Sequence, residues 1–164
     1  MLKIRLLYAV LFFLIAAFSV FAQEDAKKPR EEIFVAPLIE TLLYGYDGLA
    51  FGGGIAAGYG TRSVLGTRFL YAADADDFLF MELQLLLRFY FFDEEVNKGP
   101  FVQVNGGPVW FFLEKPKHSG HGALSIGLSA GWRFLFGKMF YAEPVLRVGY
   151  PYLIGGGATA GVRF

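Results

Sequence analysis

The sequence contains no cysteine. That excludes a disulfide framework, a thiolate metal site and a lipid-anchor cysteine behind an export signal. Neither sign of charge is in excess, since 15 Lys and Arg balance 15 Asp and Glu. No broad basic face is available for nucleic acid, and no nucleic-acid partner is expected. Charge is also sparse, at 18% of residues, against about 25% in a typical soluble domain. Histidine occurs only twice, and no third ligand stands at metal-binding spacing, so neither metal nor cofactor is expected. Beyond residues 6–21 no apolar run approaches the roughly 20 residues that a spanning helix requires. Helices are therefore not how the rest of this chain meets a membrane.

What is present is apolar, aromatic and glycine-rich. Over 164 residues the chain is 55% hydrophobic, with 19 Phe, 9 Tyr and 21 Gly. That is too apolar for an ordinary soluble domain and too rich in Gly for a helical bundle. Lys3 and Arg5 precede the apolar run LLYAVLFFLIAAFSVF, and Val20-Phe21-Ala22 supplies small residues for cleavage before Gln23. Residues 1–22 thus read as a signal peptide. An uncleaved anchor is the rival reading. Cleavage removes two basic residues and no acidic one, leaving net −2. Residues 23–32, QEDAKKPREE, read as a flexible polar lead-in.

From residue 33 to 164 the pattern is period-two alternation in segments of about ten residues, as membrane β-strands require. In DFLFMELQLLLRFYFFD, Met81, Leu83, Leu85, Leu87, Phe89 and Phe91 share one face. Glu82, Gln84, Leu86, Arg88 and Tyr90 share the other. HGALSIGLSAGWRFLF repeats the arrangement, with Ser125, Gly127, Ser129, Gly131 and Arg133 opposite a continuous apolar face. Turn signals separate strands expected at 33–44, 48–59, 62–73, 78–92, 100–113, 121–135, 138–149 and 154–164. Eight is an even count, so both termini fall at one end. Connections near 45–48, 73–77, 114–121 and 149–156 fall at the other. Aromatics gather towards both strand ends: Tyr44, Tyr46, Tyr71, Trp110, Phe112, Tyr150 and Tyr152 at one, and Tyr59, Phe91, Phe92, Trp132, Phe134, Phe136, Phe140 and Phe164 at the other. Two such bands are what membrane interfaces select. Pro37, Pro108 and Pro144 interrupt the pattern, because proline cannot donate to a ladder. Bulges or strand ends are the expected accommodation.

The chain closes on GGGATAGVRF. Ala158, Ala160, Val162 and Phe164 share one face, and Thr159, Gly161 and Arg163 the other. This ending resembles the C-terminal strand that bacterial outer-membrane proteins present to the barrel-assembly machinery. With the export signal and the strand count, residues 33–164 resemble the small outer-membrane barrels of the OmpA, OmpX and OmpW kind. The resemblance implies an all-β fold, an eight-stranded antiparallel up-and-down transmembrane barrel. It also implies an outer-membrane location, contact with outer-membrane lipids and lipopolysaccharide, and a monomer. Val162 and Phe164 would carry the assembly signal.

On that register Glu40, Arg68, Glu82, Arg88, Arg133, Glu143, Arg147 and Arg163 all face the lumen. Buried charges persist only when paired, and the planar guanidinium pairs well with carboxylates. An eight-stranded barrel is just wide enough for its own side chains, which points to an ion-pair plug and a structural or adhesive surface role. A narrow path for ions or small anionic solutes is the alternative. A third reading is a lipid A deacylase or acyltransferase, drawn from His118, Ser119 and His121. No carboxylate is placed to orient either histidine, so no catalytic residue is assigned. Asp74, Asp76 and Asp77 read as a solvated turn. FGGGIAAGYG (51–60) alternates as a strand, without the helix that a phosphate loop needs.

Overall fold

The computed structural model describes residues 31–44, 48–74, 78–91, 98–113 and 121–164. Eight strands follow one another: β1 (Glu32–Tyr44), β2 (Gly48–Gly60), β3 (Ser63–Ala73), β4 (Phe78–Tyr90), β5 (Gly99–Leu113), β6 (His121–Phe136), β7 (Phe140–Tyr150) and β8 (Tyr152–Arg163). Each pairs antiparallel with the next, and β8 returns to β1 to close the barrel. Closure removes the unpaired edge that an open sheet would leave. At the seam Ile33 and Phe164 exchange backbone hydrogen bonds of 3.2 and 2.9 Å, so the last residue is held in the wall. The signal segment and most of the lead-in lie outside the described residues; Glu32, expected in the lead-in, opens β1.

Alternation sorts the side chains. Leu124 is 75% exposed, and Ile39 and Leu85 68% each, whereas Phe34, Leu42, Val64, Leu70 and Phe80 are buried inside. The exposed wall is thus more apolar than the charged interior, the inverse of a soluble sandwich. Both aromatic bands stand on the outer wall: Phe51, Tyr71, Trp110, Phe112 and Tyr150 at one end, and Tyr59, Phe91, Trp132, Phe134, Phe136, Phe140 and Phe164 at the other. Two members expected outside turn inward. Tyr44 and Tyr152 meet edge-on, ring centroids 6.4 Å apart, and Tyr44 packs on Phe80 at 4.8 Å. Tyr46 and Phe92 lie outside the described residues.

The inward turn of Tyr152 has a local cause. Leu43 pairs with Ile154 and Tyr44 with Tyr152, so Leu153 is an extra residue in β8. This bulge resets the alternation and leaves Leu153 and Ile154 both exposed. The loop expected over 149–156 is therefore reduced to a turn at Pro151, whose peptide bond is cis. Two of its glycines are close-approach residues of the wall: a Cβ on Gly149 would collide with the Ile126 carbonyl oxygen, and one on Gly155 with the Leu42 side chain.

The prolines are accommodated without bulges. The β1–β8 ladder skips Ala36 and Pro37, yet Val35↔Val162 and Leu38↔Thr159 keep the same register. The β4–β5 ladder skips Gly107 and Pro108, and the β6–β7 ladder skips Glu143 and Pro144. On its other side each proline stays in an unbroken ladder. An antiparallel residue directs its N–H and C=O to one neighbour only, so a missing N–H opens one ladder and spares the other.

Neighbouring strands leave no slack at the inner wall of β2, where a Cβ on Gly54 would overlap the Phe69 carbonyl oxygen. We expect Gly54→Val to destabilise the refolded barrel by about 1–3 kcal/mol, the usual cost of overpacking. Gly137 in the β6–β7 turn, with φ +69° and open space at its Cβ position, is the control. Gly137→Ala should cost less, through backbone strain alone. Urea midpoints of the two variants provide the check.

Candidate functional site

The lumen is the site, and its charged residues form two nodes, each assembled from several strands. Towards the end remote from the termini, Arg147 of β7 spans the interior. Its Nη1 donates to Glu40 Oε2 of β1 at 2.8 Å and its Nη2 to Glu82 Oε2 of β4 at 3.1 Å. Arg68 of β3 joins the same Glu40 oxygen. Two arginines meet two carboxylates there, so this node is neutral. The Arg147 guanidinium also lies 4.0 Å from the centre of the Tyr152 ring. The bulge that turns Tyr152 inward thus supplies part of the lid above the node.

Nearer the termini, Glu143 of β7 receives two arginines on one oxygen. Arg88 Nη1 donates to Oε1 at 2.7 Å, and Arg133 Nε donates to the same atom. Arg88 also donates to Gln103 Oε1 and to the Tyr90 hydroxyl, each at 2.9 Å. Aromatic faces enclose the node. Arg88 stands 4.0 Å over Phe101, and Arg133 stands 4.0 Å over Tyr141 and 4.8 Å over Phe34. Such stacking stabilises a desolvated cation by about 2 kcal/mol.

Uncharged groups fill the space between. Gln84 donates to Ser125 Oγ at 2.9 Å, and Ser125 to the Gly107 carbonyl at 3.0 Å. Asn105 donates to Ser129 Oγ at 2.8 Å and accepts from Gln103. The small residues expected on β6 beside Arg133 are therefore hydrogen-bonding partners as well as spacers. Gln103 and Asn105 of β5 were not singled out in the sequence, although the alternation Phe101, Gln103, Asn105 carries the signal.

Of the eight lumen candidates, seven fall into the two nodes: Glu40, Arg68, Glu82 and Arg147 in one, Arg88, Arg133 and Glu143 in the other. Arg163 stands apart. It pairs at the rim with Glu32, at 2.9 and 3.2 Å, and donates to the Lys138 carbonyl at 3.0 Å. Two inward positions, Gly161 and Thr159, separate Arg163 from the middle of β8, so its side chain ends near the opening. Glu32 was assigned to the lead-in and missed as its partner. Val162 and Phe164 lie on the outer side of the same strand end.

The other motifs yield no constellation. His118 and Ser119 lie outside the described residues, as do Asp76 and Asp77. Residues 51–60 form β2, as the alternation indicates. Among the described residues no three His, Asp or Glu side chains gather to hold a metal.

No protein-family model and no curated protein sequence matches the chain. Solved structures do. Neisserial surface protein A is similar over 81% of this chain and 95% of its own, with 13% identity and a TM-score of 0.63. The N-terminal β-barrel domain of Pseudomonas aeruginosa OprF matches 84% of this chain and all of its own, at 15% identity and TM-score 0.57. Ail, the attachment invasion locus protein of Yersinia pestis, matches over the same shares, at 14% identity and TM-score 0.52. What the chain shares with them is the fold, the closed eight-stranded antiparallel barrel of small outer-membrane proteins.

Proposed function

We propose that this protein resides in a bacterial outer membrane as a barrel with a plugged lumen, and acts through its surface in a structural or adhesive role. The single observation that carries this reading is the pairing of an apolar outer wall with charges sealed inside. Arg133 and Glu82 are 0% exposed, and Glu143 and Arg147 1%. A lumen whose charges water does not reach offers no open path for solutes. Names among the similar structures, a surface protein and an attachment protein, support the surface role. Lipopolysaccharide and outer-membrane lipids would be the lateral partners. The barrel-assembly machinery would read Val162 and Phe164 during insertion.

Planar-bilayer recording of the refolded protein tests the plug. The expected result is bilayer insertion without steady conductance steps. Replacing Arg147 by Ala removes the side chain that joins Glu40 to Glu82, leaves Glu40 with Arg68, and should introduce discrete cation-conducting steps past the freed Glu82 carboxylate. Steady open steps in the unaltered protein would instead favour the channel alternative. Lipid A of cells with and without the protein should have the same mass spectrum, because the sequence places no carboxylate to orient His118 or His121 beside Ser119.

A further inference from the structure

The node around Glu143 is not neutral. Arg88 and Arg133 bring two positive charges to one carboxylate, and all three side chains are at most 5% exposed. A buried excess charge is costly unless something pairs with it. Donors are in excess as well. Arg133 Nη1 and Nη2 and the Tyr141 hydroxyl are buried without a hydrogen-bond acceptor, while Glu143 Oε2 is the one acceptor left over in the node. The guanidinium stacks over the Tyr141 ring at 4.0 Å, which puts these orphan donors on adjacent groups. The node remote from the termini provides the contrast, because there two carboxylates meet two arginines.

Charge and donor bookkeeping lead independently to the same ligand class, a small species that accepts hydrogen bonds and carries one negative charge. We propose that a chloride-sized inorganic anion binds in the lumen against Arg133 and Tyr141, and completes the node that Glu143 only half neutralises. Water alone would satisfy the Glu143 oxygen and some of the donors, but would leave the charge uncompensated. The rings of Phe34 and Tyr90 crowd Arg133, their centroids 4.8 and 5.4 Å from its guanidinium carbon, which favours a compact halide over a bulky oxyanion. The anion would be a structural ligand that makes folding sensitive to anion identity.

The test uses the refolded barrel in detergent, with sodium chloride, bromide or gluconate at equal ionic strength. A ligand that binds only the folded state raises the unfolding midpoint by mass action. Chloride and bromide should raise it over gluconate by about 3 °C at an anion concentration near ten times the dissociation constant. Tyr141→Phe, which removes only the hydroxyl, should reduce that difference. Arg133→Met should abolish it if the variant folds. Crystals grown in bromide supply a readout that needs no variant. An anomalous peak beside Arg133 Nη and Tyr141 Oη supports the site. Equal midpoints in all three salts, or bromide only elsewhere on the protein, overturns it.

Discussion

Replacing Glu143 by glutamine should destabilise the barrel by about 3–5 kcal/mol, the cost of leaving buried charges without their partner. Glu143 Oε1 receives both Arg88 and Arg133, so one isosteric change strips two guanidiniums of their carboxylate. Neither arginine can escape to water, since Arg88 is 4% exposed and Arg133 0%. The aromatic faces around them offset only part of the loss. Removing the whole triad should behave differently. Glu143→Leu combined with Arg88→Met and Arg133→Met replaces a buried ionic node by apolar side chains of similar volume, a change that is often neutral or stabilising. The rim supplies the scale: Glu32→Gln breaks a pair whose side chains retain 13–14% exposure, and should cost about 1 kcal/mol or less. Urea titration of the folded barrel in lipid vesicles, followed by tryptophan fluorescence, ranks the three. Equal costs for Glu143→Gln and Glu32→Gln would show that water reaches the node.

The second large effect concerns the outer wall. Leu146 lies mid-strand in β7, 67% exposed, and pairs with Ala130 and Gly156 on either side. Among the described residues nothing covers it, so the solvent around it decides what a charge there does. Leu146→Arg should cost about 2–4 kcal/mol at the bilayer midplane. In water an exposed substitution of this kind stays within about 0.5 kcal/mol. Phe164→Arg lies at the end of the wall, where the cost of a charge falls to about 0–1 kcal/mol. A depth-dependent penalty is a signature of lipid that no aqueous sandwich reproduces. Refolding titrations of both variants in vesicles should show it, whereas equal midpoints would place the wall in water.

Most of the barrel was legible because one physical rule generates it. Side chains alternate across a strand, and a wall between lipid and a packed lumen demands opposite chemistry on its two faces. Strand limits agree with expectation to within two residues, since charged and Gly-rich clusters punctuate the alternation. The lumen register followed from the same rule, which is why Glu40 and Arg147, distant in sequence, were assigned to one interior. What alternation does not encode is position along the barrel axis. That is why Arg163 was grouped with the central arginines, although it lies at the rim with Glu32. Nor does it reveal single-residue irregularities. One extra residue, Leu153, carried Tyr152 from the outer band into the lid. The glycines at 149 and 155 read as a loop because turns and close approaches call for the same residue.

Electrophoresis of the refolded 23–164 chain in cold detergent, with and without boiling, tests the central claim most directly. A closed barrel with its charges locked inside should resist cold detergent and migrate as a compact band. Boiling should convert it to a slower or faster band at the position of the unfolded chain. A single band under both conditions, from protein that stays soluble without detergent, would contradict the membrane barrel and every lumen assignment that rests on it.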